Sequence, residues 1–183
     1  VEVLNLYCSV TGNTKKIALR IEDTLKSQGV SVTTIEVNRV MDVDASDLLN
    51  YDLVFIGSGV YSCLPSQDMI DFHKIMQKKY SDSGDIRSCA PRIMGKKAVV
   101  YCTFGGPHTG INEAIPTIKY LGQLPDHLGF EIVAEWLFEG QFNSEVSLIT
   151  RLNTEGRMGN ITGRPNEEDL KKVANMVTEI LQI

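Results

Sequence analysis

Apolar positions along this chain keep two periods in turn, and the alternation between them sets out a series of strands and helices. Val1 to Tyr7 alternates and then runs apolar, the pattern of a strand buried on both faces, and Ile17, Ala18, Ile21 and Leu25 then recur at helical spacing. Gly29 supplies a stop. Val30 to Val37 alternates Val30, Val32 and Thr34 against Ser31, Thr33 and Ile35, the period of a partly exposed second strand. A polar, irregular segment follows, with Ala45 to Asn50 as a short helix. Tyr51 to Ile56 is a near-continuous apolar run, a third strand that Gly57-Ser58-Gly59 terminates.

Ser66 to Tyr80 places Met69, Phe72, His73 and Met76 on one helical face, which makes His73 a half-buried packing residue. Ser81 to Gly95 reads as loop. Ala98 to Phe104 is a fourth strand, ended by Gly105-Gly106-Pro107, and a helix follows over Ile111 to Leu124, with Pro116 in its first turn or kinking it. Phe130 to Phe138 is the fifth strand. Gly140 to Pro165 is a long connection, and Asn166 caps a last helix with an acidic first turn, Glu167 to Asp169, and a buried face of Leu170, Val173, Ala174, Val177 and Ile180.

Strands that alternate with helices demand a parallel sheet with right-handed crossovers, so the expected fold is a doubly wound α/β domain spanning residues 1–183 with helices on both faces. In such a sheet the loops after strands one, three and four share one edge, where ligands bind. Composition fits an ordered globular chain: 183 residues, 43% hydrophobic and 22% charged, with no internal repeat and no apolar run long enough for a membrane span. The start, Val1-Glu2-Val3, has no basic region or cleavage site, so the expected location is cytoplasmic. Cys8, Cys63, Cys89 and Cys102 lack metal-ligand spacing and are expected as reduced thiols. A net charge of −5 argues against nucleic acid and is compatible with docking on basic protein surfaces.

The stretch Ser9-Val10-Thr11-Gly12-Asn13-Thr14 lies between the first strand and first helix, and it carries the most specific chemistry. Short side-chain donors and Gly12 suit a turn whose backbone N–H groups converge on an anion, and the helix behind it adds the positive end of its dipole. The same residues also suit a plain turn in which Asn or Thr caps the helix. A triphosphate loop would need Gly-Lys-Ser/Thr, but Asn13 follows Gly12; a dinucleotide loop would need more glycines. What is left is a site for one terminal phosphomonoester. The near-match Gly57-x-Gly59-x-x-Ser62 to a dinucleotide fingerprint is broken by Pro65 where its helix should begin.

Together the loops Ser9 to Thr14, Gly57-Ser58-Gly59-Val60-Tyr61 and Thr103-Phe104-Gly105-Gly106 resemble those of the flavodoxin-like family over nearly the whole chain. That resemblance implies strand order 2-1-3-4-5 and a bound FMN. It implies Ser9, Thr11, Asn13 and Thr14 on the phosphate, within the loop that also holds Val10 and Gly12, and Ser58, Gly59, Val60, Tyr61, Thr103, Phe104, Gly105 and Gly106 bracketing the isoalloxazine ring. Tyr61 either stacks on that ring or stands at its rim. Gly57 and Gly59 either let a peptide carbonyl turn toward the flavin or simply end the strand.

The loop after strand four departs from the electron carriers of the family, which often place an acid and an aromatic there: this chain has Gly106-Pro107-His108-Thr109-Gly110. His108 is similar in position to a polar group that could orient a substrate or pass a proton in flavodoxin-like quinone reductases; as a plain loop histidine it would bond backbone. The expected function is electron transfer between redox partner proteins, and the alternative is an FMN-dependent oxidoreductase using NAD(P)H and a quinone or similar small acceptor. A receiver-like signalling domain would need acidic residues where Cys8-Ser9 stands. His127 is expected to have no role; the long connection with Arg151, Arg157 and Arg164 could fold over the flavin, bind a dinucleotide phosphate, form a dimer contact or cover the sheet edge, and its arginines are expected to be solvated.

Overall fold

A computed structural model describes residues 1–38 and 44–183; part of the polar segment expected after Val37 lies outside the described residues, and of the short helix expected over Ala45 to Asn50 only a 3-10 turn at Leu48–Asn50 forms. The strands are β1 (Glu2–Cys8), β2 (Ser31–Glu36), β3 (Leu53–Gly59), β4 (Lys97–Phe104) and β5 (Glu131–Glu139). They form one sheet in the order β2-β1-β3-β4-β5 with every pairing parallel, as the family resemblance implied. The helices are α1 (Asn13–Ser27), α2 (Gln67–Ser83), α3 (Ile115–His127), α4 (Ser147–Thr150), α5 (Leu152–Glu155) and α6 (Glu167–Ile180). Leu48–Asn50 and Gly110–Glu113 are short 3-10 turns. The expected helix from Ile111 is therefore split, with Pro116 in the first turn of α3, where its missing N–H costs nothing. Two short helices, α4 and α5, stand in the long connection between β5 and α6.

Successive residues of each strand face opposite sides of the sheet, so two cores form. Leu4, Leu6, Val54, Ile56, Val100 and Cys102 pack with Met69, Phe72 and Met76 of α2 and Ile118 and Leu121 of α3. Val3, Tyr7, Phe55, Val99 and Tyr101 pack on the other face with Ile17, Ile21 and Leu25 of α1 and Val173 and Val177 of α6. Each such fully buried aliphatic side chain contributes about 1.5–3 kcal/mol. Among them lies buried Asn5, whose amide donates to the Ala18 carbonyl at 2.9 Å and whose carbonyl accepts from the Tyr101 hydroxyl at 3.1 Å. This arrangement ties α1 to the sheet through the strand that leads into the first loop.

Gly57 and Gly59 do not terminate the third strand; both lie within β3. Gly57 pairs with Tyr101, and a β-carbon on it would lie 2.1 Å from the tyrosine ring. Its missing side chain serves packing inside the sheet, away from any ligand loop. The start of α6 follows expectation: Asn166 accepts from the Glu168 and Asp169 amides, and Asp169 completes the capping box. Arg164 is not solvated as expected, since its guanidinium forks onto the Asp169 carboxylate and reaches Glu139 at 2.7 Å. Burial pushes the Asp169 carboxyl up, and the Arg164 pair with the Asn166 amide more than reverses this, holding it below the ordinary carboxylate value.

His73 is buried rather than half-buried, with 5% of its surface exposed. Its ring stacks on Tyr120 of α3 at 5.1 Å, and no described group accepts from or donates to its Nε2. Burial without a partner lowers its pKa from 6.5 to about 4. Between those values the unfolded chain holds the proton and the folded chain does not, so stability falls as the pH is lowered through this window, by about 1.4 kcal/mol per pH unit. Urea unfolding of wild type and His73→Phe at pH 4.5 and 7 should show a smaller loss on acidification in the variant; equal losses would show that His73 does not set this dependence.

Candidate functional site

The loop after β1 delivers the chain into α1 through Gly12, which has φ +90° and open space where a β-carbon would stand. Gly12 holds the N-cap position and no side chain caps the helix in the usual way. The Ser9 hydroxyl accepts from the Lys15 amide at 3.1 Å. Among the described residues, none of the backbone N–H groups of Thr11, Gly12, Asn13 or Thr14 donates to another protein group. The loop thus offers a row of uncommitted donors at a helix start, and the ammonium of Lys15, the first basic residue after the loop, is paired with Glu36 at 3.0 Å.

Two side chains of this loop are spent elsewhere. The Asn13 amide donates to the Gln141 carbonyl at 2.8 Å, and the Thr14 hydroxyl shares a 2.8 Å hydrogen bond with that of Thr103 in β4. Thr14 and Thr103 are both buried and lock α1 to the fourth strand. The pair braces the loop against the fourth strand, and the Thr14 amide is left uncommitted.

After β3 the chain makes a tight reversal in which Tyr61 and Leu64 exchange both backbone hydrogen bonds. Ser62 and Cys63 at its centre have φ +49° and +65°, as in a type I′ turn, but neither is a glycine or an asparagine. The Tyr61 ring lies against Gly59, where a β-carbon would meet it at 2.9 Å, and its hydroxyl reaches Thr11 and the backbone of Val10. Burial raises its pKa despite those bonds. Tyr61 therefore joins the second loop to the first. Ser58 is fully buried, its hydroxyl donating to the Gly59 carbonyl and accepting from the Ser66 amide at 3.0 Å, so it braces the turn from beneath.

After β4, Gly106 has φ +52°, and a β-carbon there would strike the Gly110 carbonyl oxygen at 2.8 Å. The Glu113 carboxylate accepts from the amides of both His108 and Thr109 at 2.7 Å. The His108 side chain is exposed at the rim of a depression of about 600 Å³ that Pro107, Cys63 and Glu113 also line. An acid and an aromatic missing from this loop's sequence both approach it from elsewhere: Glu113 from the turn that follows, and Phe142 from beyond β5.

Gly140 to Asn143 runs across the same edge as a strap; the sequence left open that this connection folds over the site and named none of these residues. The Gly140 amide donates to the Phe104 carbonyl and the Gln141 amide to the Arg164 carbonyl, both at 2.9 Å. Asn143 donates to the Thr11 carbonyl at 2.9 Å. Gly140 permits this approach, because a β-carbon there would lie 2.9 Å from the Asn13 amide nitrogen. Its position at the carboxyl end of the fifth strand was the available signal. Strap and loops enclose a cavity of about 260 Å³ lined by Thr11, Asn13, Gly59, Val60, Tyr61, Thr103, Phe104 and Gly105 from the predicted set, with Gly140 to Ser144 and Ile149 added. Ser9, Val10, Gly12, Thr14 and Ser58 stand outside that lining, while Gly106 and His108 line the larger depression. Arg151 pairs with Glu155 at 3.0 Å. The four cysteines are free thiols.

The family model described as flavodoxin domain matches residues 4–83 of this chain. A probable flavodoxin 1 of Bacillus subtilis (strain 168) is 42% identical over 57 residues, a stretch that takes in 31% of this chain and 34% of that relative's length. The fold is similar to that of oxidised flavodoxin 1 from Bacillus cereus, with TM-score 0.66 at 17% identity over 100% of this chain and 98% of that one. It is likewise similar to oxidised flavodoxin 2 from Bacillus cereus, with TM-score 0.65 at 22% identity over 100% and 99%. The resemblance drawn from the loops thus recurs in the matched sequence of the first half and in the architecture of the whole, which is the flavodoxin fold.

Left-handed backbone at two consecutive side-chain-bearing residues costs about 1 kcal/mol or more each. Replacing the pair by the sequence a type I′ turn prefers, in the Ser62→Asn, Cys63→Gly double variant, should raise unfolding free energy by about 1 kcal/mol in urea titration; an unchanged or lower midpoint would mean that the turn is not strained.

Proposed function

We propose that the chain, as a single domain, binds FMN across the carboxyl edge of its sheet and passes electrons between redox partner proteins. The observation that carries this reading is the row of uncommitted amides from Thr11 to Thr14 at the head of α1, opening beside a cavity walled by the second and fourth loops. Such a row suits a phosphomonoester, because backbone donors and the helix dipole stabilise its charge without a basic side chain. The free hydrogen of the Ser9 hydroxyl can add one more bond to that phosphate.

Bound FMN supplies an isoalloxazine that takes up and releases electrons singly or in pairs. The residues around it do the rest. Thr11 and Asn13 line the cavity next to the phosphate loop, and Gly59, Val60, Tyr61, Thr103, Phe104 and Gly105 line the part where the ring would lie. Exposed Ile149 lines the cavity, and exposed Val10 and Leu64 flank its lining residues Thr11 and Tyr61 in the first and second loops, apolar surface on which a partner protein can seat, and the net charge of −5 favours a basic one. Unpaired thiols suit a reducing compartment such as the cytoplasm.

A second reading, an oxidoreductase that takes hydride from NAD(P)H and reduces a quinone or similar small acceptor, is favoured by one feature. The depression holding Pro107 and His108 is large enough for a second small molecule beside the cavity, and His108 is the group there that could hold or pass a proton. If this reading holds, His108→Ala should lower turnover with NAD(P)H while leaving FMN affinity unchanged.

Titration of the apoprotein followed by flavin fluorescence should give binding to FMN tighter than to riboflavin by about a hundredfold or more, the worth of several charge-assisted N–H bonds. Gly12→Val, which a φ of +90° does not accommodate, should erase most of that ratio while weakening riboflavin little. Equal affinity of the wild type for the two flavins would contradict a phosphate site at this loop.

A further inference from the structure

We infer that Phe142, carried on the strap after β5, is the aromatic wall on which the flavin ring rests, in place of the aromatic that the loop after β4 lacks; the inference rests on the FMN reading above. Phe142 lines both the cavity beside the first loop and the larger depression beside His108, so its ring stands at the boundary the flavin must meet. One side of that ring lies on Gly105, where a β-carbon would come within 2.3 Å of it. The ring remains half-buried, with apolar surface left open toward the cavity that Tyr61 also lines. An aromatic held with one face packed and another open is what a flat, polarizable ligand needs from a wall.

The same ring could instead be read as a plug that must leave before a ligand enters, and its attachments argue against that. The Phe142 amide donates to the Asn153 side-chain carbonyl at 2.7 Å, and the Phe142 carbonyl accepts from the Asn153 side-chain amide at 3.1 Å. Asn153 is itself buried, and its backbone carbonyl accepts from the Ile161 amide at 2.8 Å. On either side Gln141 and Asn143 are bonded to the first loop and to the segment before α6. A peptide gripped at both its polar groups, between neighbours that are also gripped, holds a side chain in place. Preorganisation of this kind lowers the entropy lost when a ligand stacks.

Four proteins decide the matter: wild type, Phe142→Leu, Phe142→Trp and Gly105→Ala. Leucine keeps the apolar packing and removes the aromatic face, while Gly105→Ala keeps the aromatic and pushes it off its seat. FMN dissociation constants should rise about tenfold or more for Phe142→Leu and for Gly105→Ala, in line with the loss of one stacked aromatic, and stay within about threefold for Phe142→Trp. The tryptophan variant should also acquire a broad long-wavelength absorption on binding FMN, a signature that a merely structural side chain would not produce. Thermal unfolding of the apoproteins separates these effects from loss of fold. Unchanged or tighter FMN binding by a folded Phe142→Leu overturns the inference while the FMN reading stands, and a wild-type protein that binds no FMN overturns both.

Discussion

Four backbone amides at the head of α1 that have no protein partner among the described residues are the constraint on which the rest of this structure turns. A buried amide in that state would cost several kcal/mol; Thr11 is exposed and Gly12 partly so, while Asn13 and Thr14 are buried, and an anion seated at the loop can satisfy all four donors. Keeping them open requires that nothing cap the helix. Gly12 occupies the cap position and has no side chain, Ser9 accepts from the Lys15 amide, and the Lys15 ammonium is drawn off by Glu36. The Thr14–Thr103 hydrogen bond and the Asn13–Gln141 hydrogen bond then hold the loop to β4 and to the strap.

Around that loop the edge of the sheet is assembled from four strand ends instead of three. Tyr61 reaches back to the first loop, Glu113 secures the amides after β4, and the strap crosses from β5 with Phe142 on Gly105. The residue types that the β4 loop lacks in sequence are present in space, since Glu113 and Phe142 both line the depression beside it. This tempers the weight that Pro107 and His108 lend to a reductase: the chemistry at that wall is set by what the fold brings there as much as by the loop itself.

The strands, the parallel sheet and the first loop were legible because each rests on local pattern: apolar runs closed by glycine, helical spacing after Thr14, a cap at Asn166. What was misread depends on partners distant in the chain. Gly57 looked like a strand terminator, yet its space is taken by Tyr101, a cross-strand neighbour no local pattern reveals. The bond from the Asn13 side-chain amide to Gln141, which lies on the far side of four strands in sequence, is likewise a tie that no local pattern reveals. His73 looked half-exposed because a lone histidine on an apolar face usually keeps its polar edge in water, whereas Tyr120 covers it here. The strap had only Gly140 to announce it, and the long connection gave no period by which its contacts could be placed.

The central claim is that this edge holds FMN for one-electron transfer, and an anaerobic visible-absorption titration of the FMN-loaded protein tests it most directly. The protein should be reduced stepwise by a chemical one-electron donor, in two separated steps, and should stay oxidised on the same timescale with NADH or NADPH. Rapid bleaching by a pyridine nucleotide, with no separation of the two steps, would contradict the carrier account and move the chain among the flavin reductases.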